Sequence, residues 1–110
     1  MSTVNAFCPK GQNYLVSTSS VQIQTTDNVN AVSYRIRNLS TNTAYFRWAP
    51  AQPTGTAVTV GAVSAPSAGS PSVNTIGMFP ESVEVLTLPP NVWMLSDTAN
   101  AFEVVAGEGI

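Results

Sequence analysis

Residues 81–110, ESVEVLTLPPNVWMLSDTANAFEVVAGEGI, constrain the fold of this chain more than any other stretch. Three strand-sized runs lie within them, separated by two short breaks. Residues 82–88 are rich in Val and Leu and stop at Pro89-Pro90. Residues 92–96 carry Trp93 and Leu95 and stop at Asp97-Thr98-Ala99-Asn100. Residues 101–106 alternate, with Phe102 and Val104 on one face and Glu103 and Val105 on the other, before Gly107-Glu108-Gly109. Short runs separated by turn residues at roughly 8–12-residue spacing are the pattern of an antiparallel sandwich or barrel.

The same rhythm runs through the earlier chain. Val21, Ile23 and Thr25 fall on one face of an alternating run, and Asp27-Asn28 supplies a turn. Residues 31–39 form the clearest strand, with Val32, Tyr34 and Ile36 on one side and Ser33, Arg35 and Arg37 on the other. Residues 44–48 follow after a short polar link, placing Ala44, Phe46 and Trp48 inward and Tyr45 and Arg47 outward. Taken as a hairpin, these two strands put Arg35, Arg37 and Arg47 on one outer face, either solvated or a partner-binding patch. Residues 57–60 read as a further short strand. No window holds a helical i, i+3, i+4, i+7 pattern free of Pro and Gly. The expectation is one all-β domain over residues 15–110 with about seven or eight strands, preceded by an extended N-terminal arm over residues 1–14.

Two segments stand outside that pattern. The arm mixes apolar anchors, Phe7 and Tyr14 among them, with a turn cluster at Pro9-Lys10-Gly11, and reads either as a frayed end or as an arm laid on a neighbouring subunit. The tract 61–72 is built of small residues, including Gly61, Ala65, Pro66 and Ser67, and has little to give a core. A loop of that length is a docking element or a mobile linker. Val73 to Pro80 returns to apolar character, and Gly77 within it marks a bulge or a close backbone approach.

Composition narrows the function. Charged residues make up 9 % of the chain, against ~25 % in an ordinary domain. A surface of Ser, Thr, Asn, Gln, Ala and Pro suits a protein covered by partners, and equally an extracellular-type β domain. The formal net charge is −2 with four basic residues, so no positive stripe exists for phosphate neutralisation and nucleic acid is not an expected partner. There is no histidine and one cysteine. Ser–His–Asp and Cys–His catalysis, an intrachain disulfide and Cys-based zinc sites are therefore impossible within this chain. Cys8 reads as a small buried hydrophobe. A carboxylate pair such as Glu84 and Glu103 remains a formal glycosidase possibility. Neither a P-loop nor a dinucleotide fingerprint is present. No run approaches the ~20 apolar residues of a membrane helix, and Met1 to Asn5 lacks a leader's basic and apolar regions. The expectation is a non-enzymatic protein without cofactor or metal, made in a cytoplasm. Trp48 reads as core packing. Trp93, just after Pro89-Pro90-Asn91, reads as packing or as a stacking platform.

Five pieces in this order resemble the small head-decoration (cement or staple) proteins of tailed bacteriophages. They are Arg35-Ile36-Arg37-Asn38, the run Ala44-Tyr45-Phe46-Arg47-Trp48, the turn Gly77-Met78-Phe79-Pro80, the strand 83–89, and the ending 101–110. The resemblance covers about the last two thirds of the chain and leaves out the arm and the 61–72 loop. It implies a jelly-roll-like β domain on the exterior of a virion. It further implies binding to the major capsid protein where subunits meet, and a homo-oligomer, a dimer or trimer on a symmetry axis. On residue character, the candidate contacts are Phe7, Tyr14, the loop residues Gly61, Ala65, Pro66 and Ser67, Trp93, and the arginines Arg35, Arg37 and Arg47. The alternatives are a carbohydrate- or receptor-binding β module, and a tail or neck component of a virion.

Overall fold

The computed structural model describes residues 7–25, 32–52 and 57–109. Among them it contains eight strands and no helix: β1 (Cys8–Val16), β2 (Val21–Gln22), β3 (Ser33–Asn38), β4 (Ala44–Ala49), β5 (Thr75–Met78), β6 (Val83–Thr87), β7 (Trp93–Ser96) and β8 (Phe102–Glu108). They form two four-stranded antiparallel sheets, ordered β1-β8-β3-β6 and β2-β7-β4-β5. The first strand pairs with the last, the second with the seventh, the third with the sixth and the fourth with the fifth. Each of these four pairings therefore encloses the next, as in one long hairpin folded over on itself.

Alternation of side chains explains which residues meet between the sheets. Val16, Tyr34, Ile36, Phe102, Val104 and Ala106 point inward from the first sheet; Ala44, Phe46, Met78 and Met94 point inward from the second. Phe46 and Phe102 meet edge-to-face across the sheets, centroids 5.2 Å apart and planes at 74°, the geometry that sets the positive edge of one ring on the negative face of the other. Trp48, half-buried, packs against this core as its alternating position requires.

Several expectations are corrected. The arm does not extend through residue 14: Cys8–Val16 is an edge strand on β8, with an irregularity in register between Pro9 and Asn13. The arm's residues 1–6 lie outside the described residues, as do the Asp27-Asn28 turn, Ala31 at the head of the third strand, and Ile110. The strands holding Tyr34 and Phe46 are not a hairpin. β3 and β4 belong to opposite sheets, because residues 39–43 carry the chain across the sandwich end. Residues 57–60 form no strand. Val32 is 41 % exposed because it precedes β3 instead of lying within it. Cys8 is exposed, at the start of an edge strand. Gly77 makes the close approach its position implied, without a bulge. It faces Tyr45 in an unbroken register, and a Cβ there would stand 2.5 Å from Tyr45 Cε2.

One buried polar side chain closes the end of the sandwich where the chain crosses between sheets. Asn38, fully buried at the end of β3, directs Nδ2 at the carbonyls of Asn42 (3.1 Å), Met78 (3.0 Å) and Phe79 (3.1 Å). Its Oδ1 accepts from Ser40 N at 2.8 Å. The side chain thereby joins the β3–β4 link to the β5–β6 link. Replacing Asn38 with Ala removes this donor from Met78 O in a buried site and the acceptor from Ser40 N, while Asn42 O and Phe79 O keep hydrogen bonds from Ser40 Oγ and Ser82. We expect Asn38→Ala to lower stability by about 2–4 kcal/mol, read from the urea midpoint at unchanged m-value.

At the other end, Tyr34 Oη donates to Pro89 O at 2.7 Å and accepts from Val92 N at 3.5 Å. Burial raises its pKa above the ordinary value, outweighing the opposing backbone hydrogen bonds at Val92 and Asn91. The unfolded chain therefore releases this proton first as pH rises. Stability from Tyr34 is complete below about pH 10 and is lost above it as pH climbs toward the folded-state pKa. Denaturation midpoints between pH 8 and 11 should hold and then fall, and Tyr34→Phe should remove that alkaline fall.

Candidate functional site: two unlike sheet faces

The outer faces of the two sheets carry most of the residues singled out in the sequence, and the faces differ. On the first sheet, register sets outward side chains in rows. One row reads Leu15–Glu103–Arg37–Val83 and the next Asn13–Val105–Arg35–Val85. In the third, Pro9–Gly107–Ser33–Thr87, Phe7 covers the middle, where a Gly107 Cβ would stand 2.6 Å from its Cζ, while Pro9 and Thr87 at the ends are exposed. The other two rows stay open: Leu15 is 52 % and Val83 45 % exposed. Arg35 and Glu103 approach to 3.8 Å with both side chains partly exposed, a pair of small energetic weight in solvent. The result is a face of aliphatic side chains with two guanidinium groups at its centre.

The second sheet is covered by the chain itself. Ser20 lies one residue beyond the Val21–Met94 pair, level with Leu95, which pairs with Arg47. Ser20 Oγ accepts from Val60 N at 2.9 Å. The next residue, Gly61, sits on the Arg47 guanidinium so closely that a Cβ would stand 2.7 Å from Nη1. Arg47 Nη1 also reaches Ala62 O at 3.5 Å. Val60 and Gly61 thus bridge from the β2 side to β4 across the outer face of β7, as a strap. Val60 is buried to 4 % exposure although it is not part of the inter-sheet core. Trp93, on that face of β7, is half-buried and its Nε1 has no hydrogen-bond partner.

The structure therefore separates the candidate residues. Arg35 and Arg37 share the open face, whereas Arg47 lies on the opposite side of the molecule as the post for the strap. Tyr14 turns inward onto the core, and Phe7 packs back on its own sheet, so neither is a free anchor. Gly61 is engaged by Arg47. Ala65, Pro66 and Ser67 stay exposed on a tip closed by Ser67 and Ser70, which exchange hydrogen bonds of 3.1 and 2.9 Å. Glu84 and Glu103 do not come together: β3 separates them, and Glu84 pairs with inward Ile36 while Glu103 pairs with outward Arg37. Among the described residues no group of three or more His, Cys, Asp or Glu is placed to hold a metal ion, and no helix is long and apolar enough to cross a membrane.

Sequence reasoning missed Phe79, which is 78 % exposed. Its signal was present: the aromatic begins a Pro-containing turn, Phe79-Pro80-Glu81-Ser82, just past the strand whose alternation buries Met78. Comparison with protein-family models, with characterised proteins and with solved structures gives no match.

The strap generates a prediction. Arg47→Ala removes its post but no core atom, so global stability should change by less than about 1 kcal/mol. Exchange of the Val60 amide should nevertheless accelerate, as read by hydrogen–deuterium exchange.

Proposed function

We propose that this protein is a non-enzymatic virion component. On this reading it binds the outside of a bacteriophage capsid at junctions between major capsid subunits and holds the shell together. The observation that carries the reading is the asymmetry of the two faces: one sheet is crossed by its own strap at Ser20 and Arg47, and the other presents Leu15, Val83, Val85 and Val105 around Arg35 and Arg37. An apolar patch with arginine at its centre has two features of protein-binding surfaces, whose cores are apolar and enriched in Arg.

Two further points support it. We read the nested strand order as the double Greek key of a jelly roll, an architecture used by viral capsid and lectin domains. The motif order noted above resembles phage head-decoration proteins. The lectin alternative is less well served, because the tryptophans a sugar platform would need are both half-buried, Trp48 on the core and Trp93 on the outer face of β7.

In this role the protein binds the assembled shell and not its free subunits, so it shifts the assembly equilibrium by mass action, RT ln(1 + [L]/Kd). A dimer or trimer on a symmetry axis engages several subunits at once and gains avidity from effective concentration. The direct test mixes purified protein with expanded, undecorated capsids and sediments them, with free capsid subunits alongside. Saturable co-sedimentation with shells alone is the expected result. Equal binding to free subunits, or none to shells, would overturn the reading and favour a tail or glycan-binding role.

A further inference from the structure

Phe79 is exposed, yet the backbone that carries it is fixed from several directions. Its carbonyl accepts from Asn38 Nδ2 at 3.1 Å, Ser82 Oγ at 2.7 Å and Ser82 N at 3.2 Å. Pro80 locks the second turn position. Glu81, third, adopts φ 59°, a left-handed conformation that turns usually assign to Gly or Asn. The three other positive-φ non-glycine residues, Asn74, Asn91 and Asn100, are asparagines, the side chain that tolerates this region. Glu81 is the exception, and it stands beside the most exposed large apolar side chain among the described residues. Local strain held in place by surrounding bonds, next to an aromatic that does not help the core, marks a functional position.

The neighbourhood defines the surface. Asn38 N donates to Ser82 O at 3.0 Å and Leu39 N to Ala101 O at 2.7 Å, which sets Leu39 (39 % exposed) and Val83 (45 % exposed) at the same corner as Phe79. Arg37 faces Val83 across β3 and β6, is exposed, and has no ion pair among the described residues. The corner is continuous with the open face of the first sheet through the Arg37–Val83 pair. That face, four strands ~4.8 Å apart and about five residues long, spans roughly 300 Å² in projection. A stable interface takes ~800 Å² of accessible surface per partner, so a contact centred on the face extends over its margin.

We infer that Phe79 is a preorganised knob that inserts into an apolar socket on the partner protein, with Leu39 and Val83 at its rim and an acidic side chain of the partner meeting Arg37. The inference rests on the decoration reading above, which makes the partner the capsid subunit. Holding the turn rigid before contact reduces the ordering cost of binding, and buried aromatic anchors carry a disproportionate share of interface energy.

The test measures binding of the wild-type protein and of Phe79→Ala, Phe79→Leu and Arg37→Glu to undecorated expanded capsids, with a thermal melt of each variant. Phe79→Ala is expected to weaken binding about 30-fold or more at an unchanged melting midpoint, with Phe79→Leu intermediate. Arg37→Glu is expected to weaken it about tenfold and to reverse the sign of the wild type's salt dependence, because salt then screens repulsion instead of attraction. If the wild type binds and Phe79→Ala binds equally, the knob is refuted and the decoration reading stands. If Phe79→Ala loses binding together with its melting midpoint, Phe79 is a structural residue and the inference also fails. If the wild type does not bind shells, both readings fall together.

Discussion

Asn38 is the point on which the two sheets depend. A buried amide in an apolar sandwich costs several kcal/mol unless its hydrogen bonds are met, and here they are met entirely by backbone. Two N–H groups are shared among three carbonyls drawn from the link into β4 and the link out of β5. The strand that ends at Asn38 belongs to one sheet, and both links it grips lead to or from the other. The amide therefore fixes how far apart and at what offset the sheets meet at that end. Phe46 against Phe102 then fills the space between them. The same amide holds the Phe79 carbonyl, so the rigidity of an exposed corner follows from a buried residue two strands earlier in the chain.

The nested pairing gives this protein its particular demands. β1 is useful only once β8 is present, and β2 only beside β7. Such contacts close long loops before they are rewarded, and sheets of this kind fold slowly compared with helical domains. They also leave edges. β2 is two residues long, β5 is four, and β1 carries Pro9 and a break in register, all devices that limit edge-to-edge pairing. With so few charges on its surface, the chain lays its own strap across one sheet and leaves aliphatic side chains of the other open, Leu15 and Val83 among them.

How much of this was legible in the sequence differs from element to element. Residues 81–110 yield β6, β7 and β8 almost to their ends, because Pro89-Pro90-Asn91 and Asp97 to Asn100 leave no other place for turns and because alternation assigns Phe102 and Val104 their face. The inward Tyr34, Ile36, Ala44 and Phe46 follow from the same period of two. The hairpin between β3 and β4 does not, since a five-residue polar link serves equally to turn back within one sheet or to cross to the other. That choice scattered Arg47 from Arg35 and Arg37.

The sequence by itself determined the all-β class, the rhythm of the strands and the absence of histidine chemistry, since these depend on local period, turn residues and residue inventory. Tertiary structure alone decided which strands pair, which of the two outer faces is covered, that Tyr14 and Phe7 serve the fold itself, and that Phe79 stands free. Each of those outcomes depends on contacts between segments tens of residues apart. Alternation specifies that a side chain points in or out, but what lies opposite it is fixed only when the sheets close.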